Sequence, residues 1–218
     1  MNKNGIKKYG FTLAEVLITL VIIGVIAAIT IPITQSITEK QEYVSKLKKA
    51  YSTLGQAAYR IAIDQGYPVG DFDFVTREDF FPIFVKQIQS IRVCTAANQG
   101  CFYSGYIKYL SGTNAYKFDR TDSVVGADGV TYGWDSRFCE DDKGLSNEDL
   151  ANCKGRFIVD INGAHPPNRF GRDVFFFCAI DGKGIVPAGS GNNSADCYVG
   201  SNGITCAAKV LKENGMNY

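Results

Sequence analysis

Hydrophobic positions change their spacing several times along the chain. No charged residue occurs from Val16 to Thr38, and Val16 to Ile31 is almost wholly Val, Ile, Leu and Ala. At ~1.5 Å rise per residue this run spans the ~30 Å hydrocarbon core of a bilayer, which predicts a transmembrane helix. Beyond Pro32 the apolar residues Ile37, Val44, Leu47, Tyr51, Leu54, Ala58 and Ile61 recur at helical spacing, with Glu39, Lys40, Glu42, Lys46, Lys48, Lys49 and Arg60 on or near the wet side. This is one apolar stripe on a continuing helix, ~80 Å long if it runs from Phe11 to about Asp64. A coiled-coil seam and a face covered by the chain's own sheet both fit such a stripe. Tyr51 and Tyr59 are large for a tight two-stranded seam, which favours the sheet.

Gly66-Tyr-Pro-Val-Gly70 closes the long helix with two glycines and a proline. Phe80, Phe81, Phe84, Val85, Ile88 and Ile91 then predict a short buried helix, with Thr76 and Asp79 as capping-type residues and Pro82 near its start. Tyr103 to Leu110 reads as a strand or a covering loop. Asp128-Gly129 between two β-type runs predicts a hairpin of the type I′ kind, and Asp181-Gly182 a second turn after Val174–Ile180. With a strand over Arg156–Asp160, these make an antiparallel meander of four or five strands. A terminal helix from about Ile204 to Glu213, stopped by Gly215, completes the chain. The expected fold class is α+β, a long N-terminal helix packed on a small antiparallel sheet.

Charge changes the picture mainly by exclusion. The chain has 218 residues and a formal charge of +1, with acidic and basic residues interleaved. No block forms a nucleic-acid footprint. Lys3, Lys7 and Lys8 precede the apolar run, which keeps that end in the cytoplasm and places the rest outside.

The order of small and apolar residues at the N-terminus carries the functional signal. An ordinary secretory signal has its small-x-small cleavage site after the apolar core. Here Gly10 closes a short basic leader before Phe11-Thr-Leu-Ala-Glu15 opens the core, and Glu15 is an acid in an apolar helix, which costs ~2.5–3.5 kcal/mol on insertion scales and so implies a task. A plain single-pass anchor needs neither residue.

The segment KKYGFTLAEVLITLVIIGVIAAITIP resembles the class III signal of type IV pilins and type II secretion pseudopilins. The resemblance implies a pilin-like fold, cleavage by a prepilin peptidase between Gly10 and Phe11 with N-methylation of Phe11, assembly through Glu15, and Pro32 as a kink site. Ala14 stands where many members have a larger aliphatic residue. The implied division is a leader over 1–10, a transmembrane and polymerisation helix over 11–36, an amphipathic stalk over 37–66 and an extracytoplasmic α+β domain over 67–218. The implied partners are other pilin or pseudopilin subunits, the peptidase, an inner-membrane assembly platform and the lipid bilayer of the bacterial inner membrane, crossed once. FIVDINGAHPPNRFGRDVFFF bears a weaker likeness to the distal sheet region of large pseudopilin-like proteins. A membrane-anchored module binding sugar or DNA without polymerising is the rival reading.

Candidate chemistry in the distal region is sparse. His165 is the only histidine, and neither a nucleophile motif nor Cys-x-x-Cys accompanies it, so neither an enzyme nor a zinc site is expected. The seven cysteines all follow residue 90, which suits an oxidising compartment. Sequence proximity suggests Cys94–Cys101, Cys139–Cys153 and Cys197–Cys206, with Cys178 left as a buried thiol in the strand VFFFCAI, although six cysteines allow other pairings. Asp160, Asn162, Asn168 and Asp173 gather hard oxygen ligands of the kind calcium takes around one inter-strand loop. Turn residues alone would leave the same composition. Calcium is the one candidate cofactor.

Overall fold

The structure, a computed structural model, describes residues 10–72, 80–95, 100–135, 144–191 and 197–218, apart from the side chains of residues 32, 33 and 35. Helix α1 runs over Leu13–Gln65. The chain divides by its internal contacts into two units, Met1–Lys40 and Gln41–Tyr218.

In the first unit, residues 13–40 are helical, including position 32. The large apolar side chains from Phe11 to Ile31 that are described lie exposed, as a lipid-facing or partner-facing surface requires. The segment is long and apolar enough to cross a membrane. Thr19, Thr30, Thr34 and Thr38 return their hydroxyl protons to carbonyls three or four residues earlier, so these polar groups cost little in an apolar setting.

In the second unit, residues 41–65 of α1 form one wall of the core. Val44, Leu47, Leu54 and Ile61 are buried as their spacing predicts, and Tyr43, Ala50 and Ala57 extend the stripe. Ile37, by contrast, lies in the first unit and is exposed. Gly66, at φ 75°, ends the helix, with Tyr67 N–H reaching back to the Ala62 carbonyl. Helix α2 follows at Phe80–Gln87, burying Phe80, Phe81 and Phe84. Its expected caps Thr76 and Asp79 lie outside the described residues.

The sheet has six strands in sequential antiparallel order: β1 Ser90–Cys94, β2 Ser123–Gly126, β3 Thr131–Asp135, β4 Cys153–Asp160, β5 Val174–Ile180 and β6 Gly184–Pro187. One strand exceeds the meander expected: β1, which takes up Ile91 in an exposed edge position and not on the buried helix. The β2–β3 turn also differs from expectation. Of Asp128 and Gly129 only Gly129 has positive φ, and Gly129 N–H bonds to the Gly126 carbonyl, so that Ala127 and Asp128 are the central pair, while Gly126 N–H bonds to the Val130 carbonyl. This is a type I turn closed by a glycine bulge, not the type I′ turn, which needs two left-handed residues. Residues 103–110 form a covering loop, with Ile107 buried beneath it.

All seven residues of β5 are buried, because the sheet has a core on each face. Phe175, Phe177 and Ala179 point to the layer of α1, α2 and helix α4 (Cys206–Glu213), whereas Val174 and Phe176 meet Phe102, Ile107, Phe118, Ile158 and Phe170 under the covering loop. Tyr51 of α1 stacks on Phe177 at 5.4 Å between centroids, and its hydroxyl donates to the Ile185 carbonyl. A five-residue helix, α3 (Asn147–Ala151), is capped by Ser146. Helix α4 ends at Asn214, whose φ of 53° makes it the left-handed cap in place of the expected Gly215.

Candidate functional site

The N-terminal site starts from the way α1 begins. Residues 10–12 precede the helix in non-helical backbone. Both the Thr12 amide and its hydroxyl donate to Glu15 Oε2 at 2.8 Å, and the Glu15 amide donates back to Thr12 Oγ1 at 3.3 Å. This reciprocal capping box satisfies amides that the first helical turn leaves without partners. Thr12 is the capping residue that reading the sequence passed over, although the pattern Thr-x-x-Glu before an apolar run is its signature.

The cap places the Gly10–Phe11 bond in exposed chain ahead of the helix, with Phe11 90% exposed. The capping box sets this boundary between non-helical chain and helix. No described atom lies within 4 Å of where a Cβ on Gly10 would sit. Any need for glycine there comes from what binds the segment. Gly24 likewise faces open space. Position 32 lies within α1, but the Pro32 side chain is outside the description, and so is any contact it makes.

The cysteine and oxygen clusters belong to the second unit. Cys94 joins Cys101 with an S–S distance of 2.02 Å, tying the edge strand β1 to the chain just ahead of the covering loop, and Cys197 joins Cys206 at 2.07 Å, anchoring the start of α4. Cys153 is also disulfide-bonded, while Cys139 lies outside the described residues. Cys178 is a buried thiol on β5.

Asp160 ends β4 and Asp173 immediately precedes β5, so the paired strands bring both carboxylates to one end of the sheet, with Asn162 and Asn168 on the loop between. Asp173 accepts the Asn168 amide at 2.7 Å and the Arg169 amide at 2.6 Å, and Asp160 Oδ1 accepts the Asn162 amide at 3.3 Å. The Asn162 side-chain amide donates to the Tyr43 hydroxyl on α1 and to the Pro166 carbonyl. Burial, and then the charge of Asp173, hold Asp160 well above the usual carboxylate range. Burial pushes Asp173 up to about 6 despite the two amides it accepts. His165 lines a neighbouring cleft with Asn162, Gly163, Lys46 and Asp128.

Comparison with known proteins bears on the N-terminus. No curated protein and no solved structure matches the chain. The family model of the prokaryotic N-terminal methylation motif matches residues 6–31, which take in Gly10, Phe11, Thr12, Glu15 and most of the apolar run. Residues 6–31 are thus the N-terminal signal of the type IV pilins and pseudopilins, which implies processing by a prepilin peptidase and assembly with other pilin subunits.

Proposed function

We propose that the chain is a pseudopilin-type structural subunit of a type II secretion pseudopilus or a type IV pilus, cleaved after Gly10 and assembled through its N-terminal helix. The observation that carries this is the match over residues 6–31, seated on an exposed apolar helix that begins at the Thr12–Glu15 box. Residues 1–10 act as the leader, 11–36 as membrane anchor and filament core, 37–66 as the stalk and 67–218 as the extracytoplasmic domain. Before assembly the helix crosses the inner membrane once, with the lysine-bearing end in the cytoplasm. The assembly platform in that membrane is the third partner, after the peptidase and the sister subunits.

The role assigned to Glu15 is electrostatic. Cleavage creates a charged amine at Phe11 inside the apolar layer, where both it and the Glu15 carboxylate are costly. A neighbouring subunit shifted along the filament can bring its amine to this carboxylate, and the attraction rewards docking and sets the register.

The test uses the native host. Filaments sheared from cells should contain the chain, and deleting the prepilin peptidase should strand it in the membrane fraction. A chain that stays wholly membrane-bound whether or not the peptidase is present would instead be an anchored binding module.

A further inference from the structure

The geometry points to a binding site for an acidic saccharide, a hydroxyl-rich ring carrying one carboxylate, in the cleft between α1 and the β2–β3 turn, with the Tyr132 hydroxyl at its floor and Arg60 as its free cation.

The floor carries the first observation. Tyr132 lies on β3, paired with Val124 and Val159, and its ring packs in the core edge-on to Phe84 at 6.3 Å between centroids. Phenylalanine would serve that packing equally well. Tyr132 is 0% exposed, and its hydroxyl, which lines the cleft beside Thr53 of α1, closes no hydrogen bond. Folded proteins rarely leave a buried hydroxyl without a partner, and each exception calls for a reason. Burial, and then the charge of Asp128, push the phenol well above its ordinary value, so it stays protonated and has a hydrogen to donate.

The walls are polar. The cleft measures about 280 Å³, close to the lower end of small-molecule sites at ~300–1,000 Å³, which suits one sugar ring. Thr53 and Gln56 line it from α1, and Gln87 and Gln89 from the end of α2 and the approach to β1. Amide and hydroxyl side chains both donate and accept, as the hydroxyls of a sugar do. Gln56 is braced on Ser52 Oγ at 3.1 Å and Gln87 on Asp64 Oδ2 at 2.9 Å, so less of their freedom remains to be lost on binding. An apolar ligand would strand all of these groups.

Charge narrows the ligand further. Lys49 faces Asp128 Oδ2 at 3.6 Å, and these two charges offset each other. Arg60 forms no ion pair among the described residues, and Asp64, one turn further on, accepts from Gln87 and does not line the cleft. The one guanidinium left over matches one carboxylate, which its planar fork can hold through two N–H groups. A phosphate is favoured by a concave set of free backbone amides. The Ala127 amide at this cleft is instead committed to the Gln89 carbonyl.

The experiment titrates the full-length chain in detergent with glucuronate, galacturonate and mannuronate, read by calorimetry and saturation-transfer NMR. At least one should bind with a millimolar Kd or tighter, and the neutral hexose of the same stereochemistry, acetate and inorganic phosphate should each bind at least about tenfold more weakly. Tyr132→Phe should weaken uronate binding by about tenfold while melting at or above wild type without ligand, because it removes an unpaired buried hydroxyl and keeps the packing. A hydroxyl needed only for structure would lower the melting temperature instead. Arg60→Gln, a change at an exposed position, should erase the preference for uronate over hexose and leave melting unmoved. The inference fails if no uronate binds, if hexose, acetate or phosphate binds wild type as well as the uronate does, or if Tyr132→Phe binds as wild type. None of these results depends on cleavage after Gly10 or on filament entry, so this inference and the proposed function stand or fall separately.

Discussion

Replacing Glu15 by alanine should leave the chain inserted and processed after Gly10, yet reduce its share of the sheared filament fraction by an order of magnitude or more. Removing one partner of a desolvated ion pair typically costs ~3–5 kcal/mol, because the other charge stays buried without compensation. On the proposed assembly, that stranded charge would be the neighbour's Phe11 amine. The Thr12–Glu15 box raises a competing explanation, since alanine also removes a helix cap worth roughly 0.5–2 kcal/mol. Glu15→Gln separates the two. Glutamine serves a capping box as glutamate does, but it carries no charge. If the charge matters, Gln should fail as Ala does; normal entry of Gln with failure of Ala would reassign Glu15 to the helix cap. Normal entry of both would remove Glu15 from assembly altogether.

The second large effect concerns the seam between α1 and the sheet. Phe177→Ala should destabilise the second unit by about 3–5 kcal/mol, the usual range for truncating a buried phenylalanine. Phe177 is 0% exposed and carries the Tyr51 stack, so its loss opens a cavity where α1 rests on β5. Ile63→Ala, on the exposed side of the same helix, should stay within about 0.5 kcal/mol after allowing for propensity. Urea unfolding of the detergent-solubilised chain followed by near-UV circular dichroism compares the two. Equal midpoints would mean that the helix does not draw its stability from this sheet.

What could be read from the sequence follows from where a residue's environment is set. The α1 stripe and β5 were legible because burial leaves a periodic or continuous apolar trace, and Asp181-Gly182 marks the end of β5. The edge strand β1 was not: four of its five residues are exposed, and it is held by backbone pairing to β2 and one disulfide, none of which leaves a hydrophobic pattern. Helix α3 is too short to show periodicity. At the N-terminus the Gly10–Phe11 and Glu15 positions stood out by chemistry, while Thr12 was overlooked because its role lies in two local hydrogen bonds and not in charge. The oxygen-rich loop could be named from composition, but turn residues and ligands look alike there. The burial of Asp160 and Asn168 arises only where strands and helix meet in three dimensions.

The most direct measurement for the central claim is the intact mass and N-terminal sequence of the chain recovered from its own host. The account predicts that Met1–Gly10 are absent and that the mature chain begins at Phe11 bearing one added methyl group. Deleting the peptidase should restore the longer form. A chain that still begins at Met1 in cells with an active prepilin peptidase would contradict it.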